Sequence, residues 1–449
     1  TLDHGYGSVP LAGSVVVSPP VTTTYTVTVT DSSGAAKTGS VTVNVGPNSR
    51  LNASIRHIVF MVQENHTFDS YFGQMNAYRD SRGISGDVDA VNPATVLYDE
   101  PDNPVSPYHF RTVCSENIST NWTDAHIAVD NGLSNDFMKP FATYPSTIDP
   151  WYHRVMGYYD QGDLPYYYEL AAQFGTSDRW FSPVLGPTIV NRMYLFTGTS
   201  FGHIHPEDAP PAGGWPQKTI FDLLDQHGIS WRYYYQDNSV FLAQFATWQN
   251  PAAQAKVRPI SEYFRVLGSA TADQDLAQVI FIERPAVSEL DEHPGSNVQF
   301  GAQWASTVID ALLASPAWPS SALLLTWDEG GGFYDHVPPA AVLPPDNIAP
   351  MFHAGDWPGS FANTGFRVPV VVISPWARPH YVSHTVRDYT SILKLIEVRF
   401  GLPPLTWRDG AAEPMLEFFD FGGPAPWLTP PLLPLQPTDG VCDVNQEIG

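Results

Sequence analysis

The chain has 449 residues but only two cysteines, Cys114 and Cys442. Two thiols allow a single long-range disulfide, formed if the protein is exported, and sequence alone does not report the geometry such a bond needs. Basic residues are also scarce: Lys plus Arg is 22 against 46 for Asp plus Glu, a formal net charge of −24. That balance is the wrong footprint for nucleic acid, whose phosphates demand a basic surface. It also argues against docking on anionic membranes through a polybasic patch. The acidic surplus serves solubility, and some of the carboxylates could hold a cation. No run is long and apolar enough to form a transmembrane helix. No signal peptide begins the chain, and the start at Thr1 without Met suggests that upstream sequence has been removed.

Other residues are plentiful. Hydrophobic residues make up 43%, so a packed core is feasible. Aromatics (13 Trp, 21 Tyr, 24 Phe) and 42 Pro favour long, ordered loops over a helical bundle. The length suits one large domain or two ordinary ones.

The first 48 residues differ in kind from the rest. Three short Val- and Thr-rich segments, Gly13–Ser18, Thr23–Asp31 and Gly39–Val45, read as strands, with a turn at Ser32-Ser33-Gly34. Alternation in Tyr25-Val27-Val29 and Val41-Val43-Val45 gives two of them one apolar face each. This segment resembles the C-terminal part of a bacterial immunoglobulin-like module, with open strand edges to be covered by the domain that follows, by another chain or by residues missing from this sequence. Gly46-Pro47-Asn48-Ser49 reads as a linker into a second domain, 49–449.

There the pattern changes to buried-strand candidates at Ile55–Val62, Val279–Glu283, Ala322–Trp327 and Val368–Ser374. Helical patterns intervene at Pro165–Phe174, Ile189–Leu195, Thr219–His227, Gln303–Ala314 and Arg387–Phe400. Strands alternating with helices predict an α/β fold, a mostly parallel sheet covered by helices, with ligands beyond the carboxyl ends of the strands.

Polar clusters occur at those ends. Glu64 and Asn65 follow one predicted strand, and Asp328 and Glu329 follow another. Converging carboxylate and amide oxygens suit Ca²⁺, Mg²⁺ or Mn²⁺, although the same residue types also cap loops and helices. Thr188 stands before a predicted helix, where free amides and the dipole favour a phosphate. A metal on its oxygen would make it a nucleophile; an N-cap is the alternative. Asn191 and Arg192, one turn on, could reach phosphoryl oxygens or pair structurally. His126, His293 and His336 stand in polar, glycine-bearing contexts and could protonate a leaving oxygen, or act as ordinary loop hydrogen-bonders. Asp335 either orients His336 or finishes a turn.

Read together, "HIVFMVQENHTFDSYFG" (57–73), "HIAVDNGLSNDF" (126–137), "GPTIVNRMYLFTGT" (186–199), "FIERPAVSELDEHP" (281–294) and "LLLTWDEGGGFYDHVPP" (323–339) resemble a known phosphoesterase family. That family contains bacterial phosphatidylcholine-type phospholipases C and a group of acid phosphatases. The resemblance is collinear from 55 to 409. It implies an alkaline-phosphatase-like fold, one divalent metal held by Glu64, Asn65, Thr188, Asp328 and Glu329, Thr188 as nucleophile, and phosphate-binding histidines at His126, His293 and His336. His66-Thr67 and Val190 depart from the family's usual Arg-Ser and Pro. The expected substrate is a phosphate ester; aromatics could cage a choline head group or belong to the core. The expected location is extracellular or periplasmic. A surface or filament-forming assembly protein, using the β segment for strand addition, is the competing expectation.

Overall fold

Four predominantly apolar runs form the centre of the larger unit. HIVFMVQ (β3, His57–Gln63), VIFI (Val279–Ile282), SALLLTW (Ser321–Trp327) and VVVI (Val370–Ile373) are buried at every position. Such runs fit strands covered on both faces. Each fully buried Val, Leu, Ile or Phe among them contributes about 1.5–3 kcal/mol.

The computed structural model describes every residue except 4–7, 10–11, 13–22, 44–47, 140–143, 238–239 and 449. The chain forms two compact units, Thr1–Ile55 and Arg56–Gly449. In the first, β1 (Thr23–Thr30) pairs antiparallel with β2 (Ala36–Val43), in register from Thr23 opposite Val43 to Thr30 opposite Ala36. Asp31 Oδ1 closes the turn by accepting from the Ser33 and Ala35 amides, and Gly34 supplies the positive φ of +87°. The strand expected at 13–18 and the first half of the linker expected at 46–49 lie outside the described residues.

In the second unit, β3 is followed by β4 (Gly175–Ser177), β5 (Trp231–Tyr235), β6 (Val257–Pro259), β7 (Val279–Ile282), β8 (Ser321–Trp327), β9 (Val370–Ile373) and β10 (Val382–Ser383). They form one eight-stranded sheet in the order β6-β5-β7-β3-β8-β9-β4-β10. Only β9 runs against the others, so the sheet is mostly parallel. The helices that matter below are α1 (Phe68–Phe72), α2 (Trp122–Val129), α3 (Pro165–Gln173), α4 (Thr188–Thr197), α5 (Ile260–Leu267), α6 (Val298–Leu313) and α7 (Thr390–Phe400). They pack in two groups, α6 with α5 and α3, and α7 with α4. No helix among the described residues is long and apolar enough to cross a membrane.

Helix α6 begins five residues before the helix predicted from Gln303, because Asn297 caps it by accepting from the Gln299 amide. The short strands β4, β5, β6 and β10 were not expected. Their sequences are aromatic, polar or only two to three residues long, and neighbouring strands rather than periodicity define them.

Cys114 and Cys442 are bonded across 328 residues of sequence, with Cα atoms 5.0 Å apart. Flanking bonds from Val113 N to Val441 O and from Asp443 N to Thr112 Oγ1 fasten the C-terminal segment to the loop before α2. A bridge closing so long a loop restricts the unfolded chain strongly. Replacing both cysteines by Ala is expected to lower unfolding free energy by about 2–4 kcal/mol in urea titration, with a raised m-value as the unfolded chain expands. Equal midpoints for the variant and wild type would rule out a structural role for the bond.

Candidate active site

The register between β3 and β8 builds the site. Ser321 lies opposite His57 and Trp327 opposite Gln63, so the next residues, Glu64 and Asp328, leave the sheet side by side. Asp328 N–H donates to Gln63 O at 3.0 Å, and Asn65 N–H donates to Asp328 Oδ1 at 3.2 Å. Asn65 then takes a left-handed conformation, φ +65°, which is sparsely populated for a residue with a side chain. The chain passes so close here that a Cβ on Gly331 would sit 2.0 Å from Asn65 O. Gly331 in turn donates its N–H to Glu329 Oε2 at 2.7 Å.

Thr188 meets this corner from α4. It is the first helical residue rather than the cap, a position taken by Pro187. Its hydroxyl donates to Asn65 Oδ1 at 3.2 Å, with Glu329 Oε1 at 3.5 Å, and makes no capping bond to its own helix. Asn191 holds the preceding turn: its side-chain amide donates to Gly186 O and Pro187 O, and its Oδ1 accepts from Val184 N–H. Arg192 is fully buried and pairs with Glu283 and with Asp328, the latter at 3.4 Å. Both side chains predicted to touch phosphate are thus engaged within the protein, one shaping the Thr188 turn and the other anchoring an acidic group.

Glu283 and Arg284, at the end of β7, complete the arrangement. Arg284 pairs with Glu64 and with Glu283, and lies 4.0 Å from Asp291. Burial and then the neighbouring carboxylates push up Glu329, far above its usual range, and burial likewise raises Glu64 and Asp328. Burial and the Glu64 carboxylate raise Asp291 to about 6. Five buried acids therefore face two guanidinium groups.

His293 is the predicted histidine nearest this group. Its backbone N–H donates to Asp291 Oδ1 at 3.3 Å, its Nδ1 bonds Pro294 O at 2.8 Å, and its charge acts on Glu64 and Asp291. His126 and His336 are held elsewhere. His126 lies against Trp122, donates from Nδ1 to Trp122 O at 2.7 Å, and is shifted down by burial. His336 bonds Asp69 at 2.7 Å and Asp89 at 3.1 Å. Burial opposes its charge, but Asp69 and Asp335 outweigh it and bring its pKa to about 9. Asp335 pairs with Arg367 at 2.8 Å, and Arg367 bridges on to Asp69.

Sequence reasoning passed over Glu283, Arg284, Asp291 and Glu292. Glu292 is fully buried and accepts from Tyr71, Tyr167, Gln63 and Trp327, with burial raising it to about 7. The available signal was positional, since Glu283-Arg284 ends the strand beside β3. The departures also have structural uses: His66 stacks between Tyr71 and Phe333, and Thr67 caps α1.

Among the described residues, three groups bring His and acidic ligand atoms within 4.8 Å of one another: Asp69/Asp335/His336, His109/Asp160/Asp163 and His205/Glu207/His353. The strand-end carboxylates are not among these groups, since Glu64 is turned to Arg284. Their oxygen-only donor set nevertheless fits a hard divalent cation.

The model of the Phosphoesterase family matches residues 55–403. Phospholipase C A of Mycobacterium tuberculosis is 31% identical over 447 residues, covering 90% of this chain and 85% of that protein. Non-specific phospholipase C1 of Arabidopsis thaliana is 31% identical over 398 residues, covering 82% and 72% respectively. Among solved structures, a protein in the alkaline phosphatase superfamily from Vibrio parahaemolyticus has a TM-score of 0.36 and 11% identity, over 56% of this chain and 64% of that one.

Two outcomes are expected. Arg192→Ala leaves Glu283 and Asp328 buried without their partner and should destabilise the fold by about 3–5 kcal/mol in chemical denaturation. Second, a carboxyl raised in the folded state, such as Asp291 from 3.8 to about 6, holds more protons folded than unfolded across that window. Metal-free stability from these groups is therefore lost as pH rises. A cation bound among them should stabilise little at the acid end and progressively more above about pH 6. Thermal melts with chelator and with Ca²⁺ or Mg²⁺ test this, and a cation effect independent of pH would refute it.

Proposed function

The chain belongs to the phosphoesterase family, and we propose that it is a secreted, metal-dependent phosphoric ester hydrolase of phospholipase C type with Thr188 as nucleophile. The observation carrying this reading is the Thr188 hydroxyl, which turns from its own helix to Asn65 and Glu329. A hydroxyl used only as a cap would bond a backbone amide of the first turn instead.

Glu64, Asn65, Thr188, Asp328 and Glu329 would hold the cation, with Glu64 exchanging its contact to Arg284 for it. When bound, the cation would acidify the Thr188 hydroxyl and screen charge on the phosphoryl oxygens. Thr188 Oγ1 attacks phosphorus in line, forming a P–O bond while the bond to the alcohol breaks. Glu329 Oε1, the nearest carboxylate and ionised once the cation offsets its buried charge, takes the departing Thr188 proton. The first-turn amides of α4 point toward the phosphoryl group at the positive end of the helix. His293, close to Glu64 and Asp291, supplies a proton to the leaving oxygen. Water then attacks the phosphothreonine, giving a proton to the now neutral His293 and forming a new P–O bond. The bond to Thr188 breaks as Glu329 returns its proton to Thr188 Oγ1.

The relatives' names favour a phosphodiester with a phospholipid head group as substrate. The Cys114–Cys442 bond supports export, because such bonds persist in oxidising compartments. The family match falls on the larger unit rather than on the β1–β2 hairpin, so hydrolysis stands ahead of assembly by strand addition.

Thr188→Ala should lower kcat by at least about 10³-fold with the fold retained, while Thr188→Ser retains part of the activity. Nitrophenyl phosphorylcholine should be turned over faster than nitrophenyl phosphate. Equal turnover by Thr188→Ala and wild type would sink the nucleophile assignment, and preference for the monoester would make the enzyme a phosphatase.

A further inference from the structure

His205, Glu207 and His353 bring their ligand atoms within 4.8 Å of one another on two loops outside the proposed active site. The imidazoles of His205 and His353 lie parallel, 4.1 Å apart with 5° between their planes. His205 Nε2 bonds Asp356 Oδ2 at 2.9 Å, which assigns its proton to that nitrogen. Its Nδ1 is left as an acceptor, 3.8 Å from Glu207 Oε1. Asp356 also accepts the backbone N–H of His353 at 2.5 Å, so one carboxylate positions both imidazole-bearing segments.

We propose that His205 Nδ1, one ring nitrogen of His353 and a Glu207 oxygen form a second metal site for an imidazole-preferring divalent ion, Zn²⁺ or a close relative. Two imidazoles and one carboxylate leave a fourth position for water, a usual zinc complement. The Asp356–His205 bond is the carboxylate–histidine pairing that fixes the tautomer of metal-ligating histidines. Each nitrogen must aim at the ion in its own ring plane, so coordination fans the two rings apart at that edge. Glu207 is exposed (66%) and free to swing in.

The ion would staple two loops beside the helix that carries Thr188. Ile204, next to His205, and Phe361 share a buried cluster with Trp122, Val184, Val190 and Tyr194. Met351 N–H donates to Gly202 O at 2.8 Å, and Trp122 Nε1–H donates to Trp357 O at 2.9 Å. A crosslink at His205–His353 would therefore tie together two loops already packed against α2 and α4. Its donor set differs from the oxygen-only set at the strand ends, so the two sites select different metals.

The test uses chelator-stripped full-length protein titrated with Zn²⁺ by calorimetry and with Co²⁺ by visible absorption. Wild type should bind one Zn²⁺ that Glu329→Gln still binds. His205→Ala and His353→Ala should each weaken it at least tenfold. Asp356→Asn, which removes no ligand, should weaken it about 10–100-fold. His353→Cys should give Co²⁺ a thiolate charge-transfer band in the near ultraviolet, which reports direct ligation even where alanine variants fold poorly. Zinc binding unchanged in His205→Ala and His353→Ala, or no charge-transfer band in His353→Cys, overturns the assignment.

Discussion

The in-register pairing of β3 with β8 is the constraint on which the rest of the site depends. Trp327 faces Gln63 across the ladder, and the two acidic pairs then emerge one residue later on adjacent strands. A slip of one residue would displace Asp328 by about 3.3 Å along the strand and reverse the faces of its side chains. The bond from Asn65 N–H to Asp328 Oδ1 would be lost with it. Buried apolar runs on both strands, Ile58–Val62 and Ala322–Leu325, pair inside the sheet in that register. The packing of the core and the placement of the chemistry are therefore one and the same arrangement.

Charge balance separates two acidic neighbourhoods that look alike in composition. Around His336, the acids Asp69, Asp89 and Asp335 are matched by Arg367, Arg179 and His336 itself. Each of these carboxylates has a cationic partner, Arg179 also reaching Asp178, and the acids keep the histidine charged. At the strand ends, the five acids Glu64, Glu283, Asp291, Asp328 and Glu329 share two guanidinium partners, Arg192 and Arg284, with His293 beside Asp291. Burial penalises each uncompensated carboxylate by several kcal/mol unless it is protonated or paired. The residual negative charge is what a divalent cation would neutralise, and this makes the second group the better candidate for catalysis.

How much was legible in the sequence follows from which signals are local. The strands at His57–Gln63, Val279–Ile282, Ser321–Trp327 and Val370–Ile373 announce themselves by predominantly apolar runs, and the strand-end rule located Glu64, Asn65, Asp328 and Glu329 from them. Thr188 was legible as the start of a helix, but the direction of its hydroxyl depends on Asn65, 123 positions away. The uses of Asn191 and Arg192 were hidden for the same reason. A turn-holding amide and a buried guanidinium look no different in sequence from phosphate ligands. His126, His293 and His336 shared a polar, glycine-bearing context, and only tertiary contacts separate them: Trp122 for the first, Asp291 for the second, Asp69 for the third.

The position of Thr188 inside α4 connects these points. A cap residue lies outside the helix and spends its side chain on the first-turn amides, whereas the first helical residue projects its side chain away from them. With Pro187 in the cap position, the amides keep their capacity for an anion and the hydroxyl keeps its own for Asn65 and Glu329. Proline suits that position because it offers no side-chain oxygen to compete, and Asn191 ties the turn from within the helix by donating to Gly186 O and Pro187 O. The same four residues, Gly186 to Ile189, thus present a positive helix end and a hydroxyl to one point in space. Phosphoryl transfer to a threonine needs both there at once.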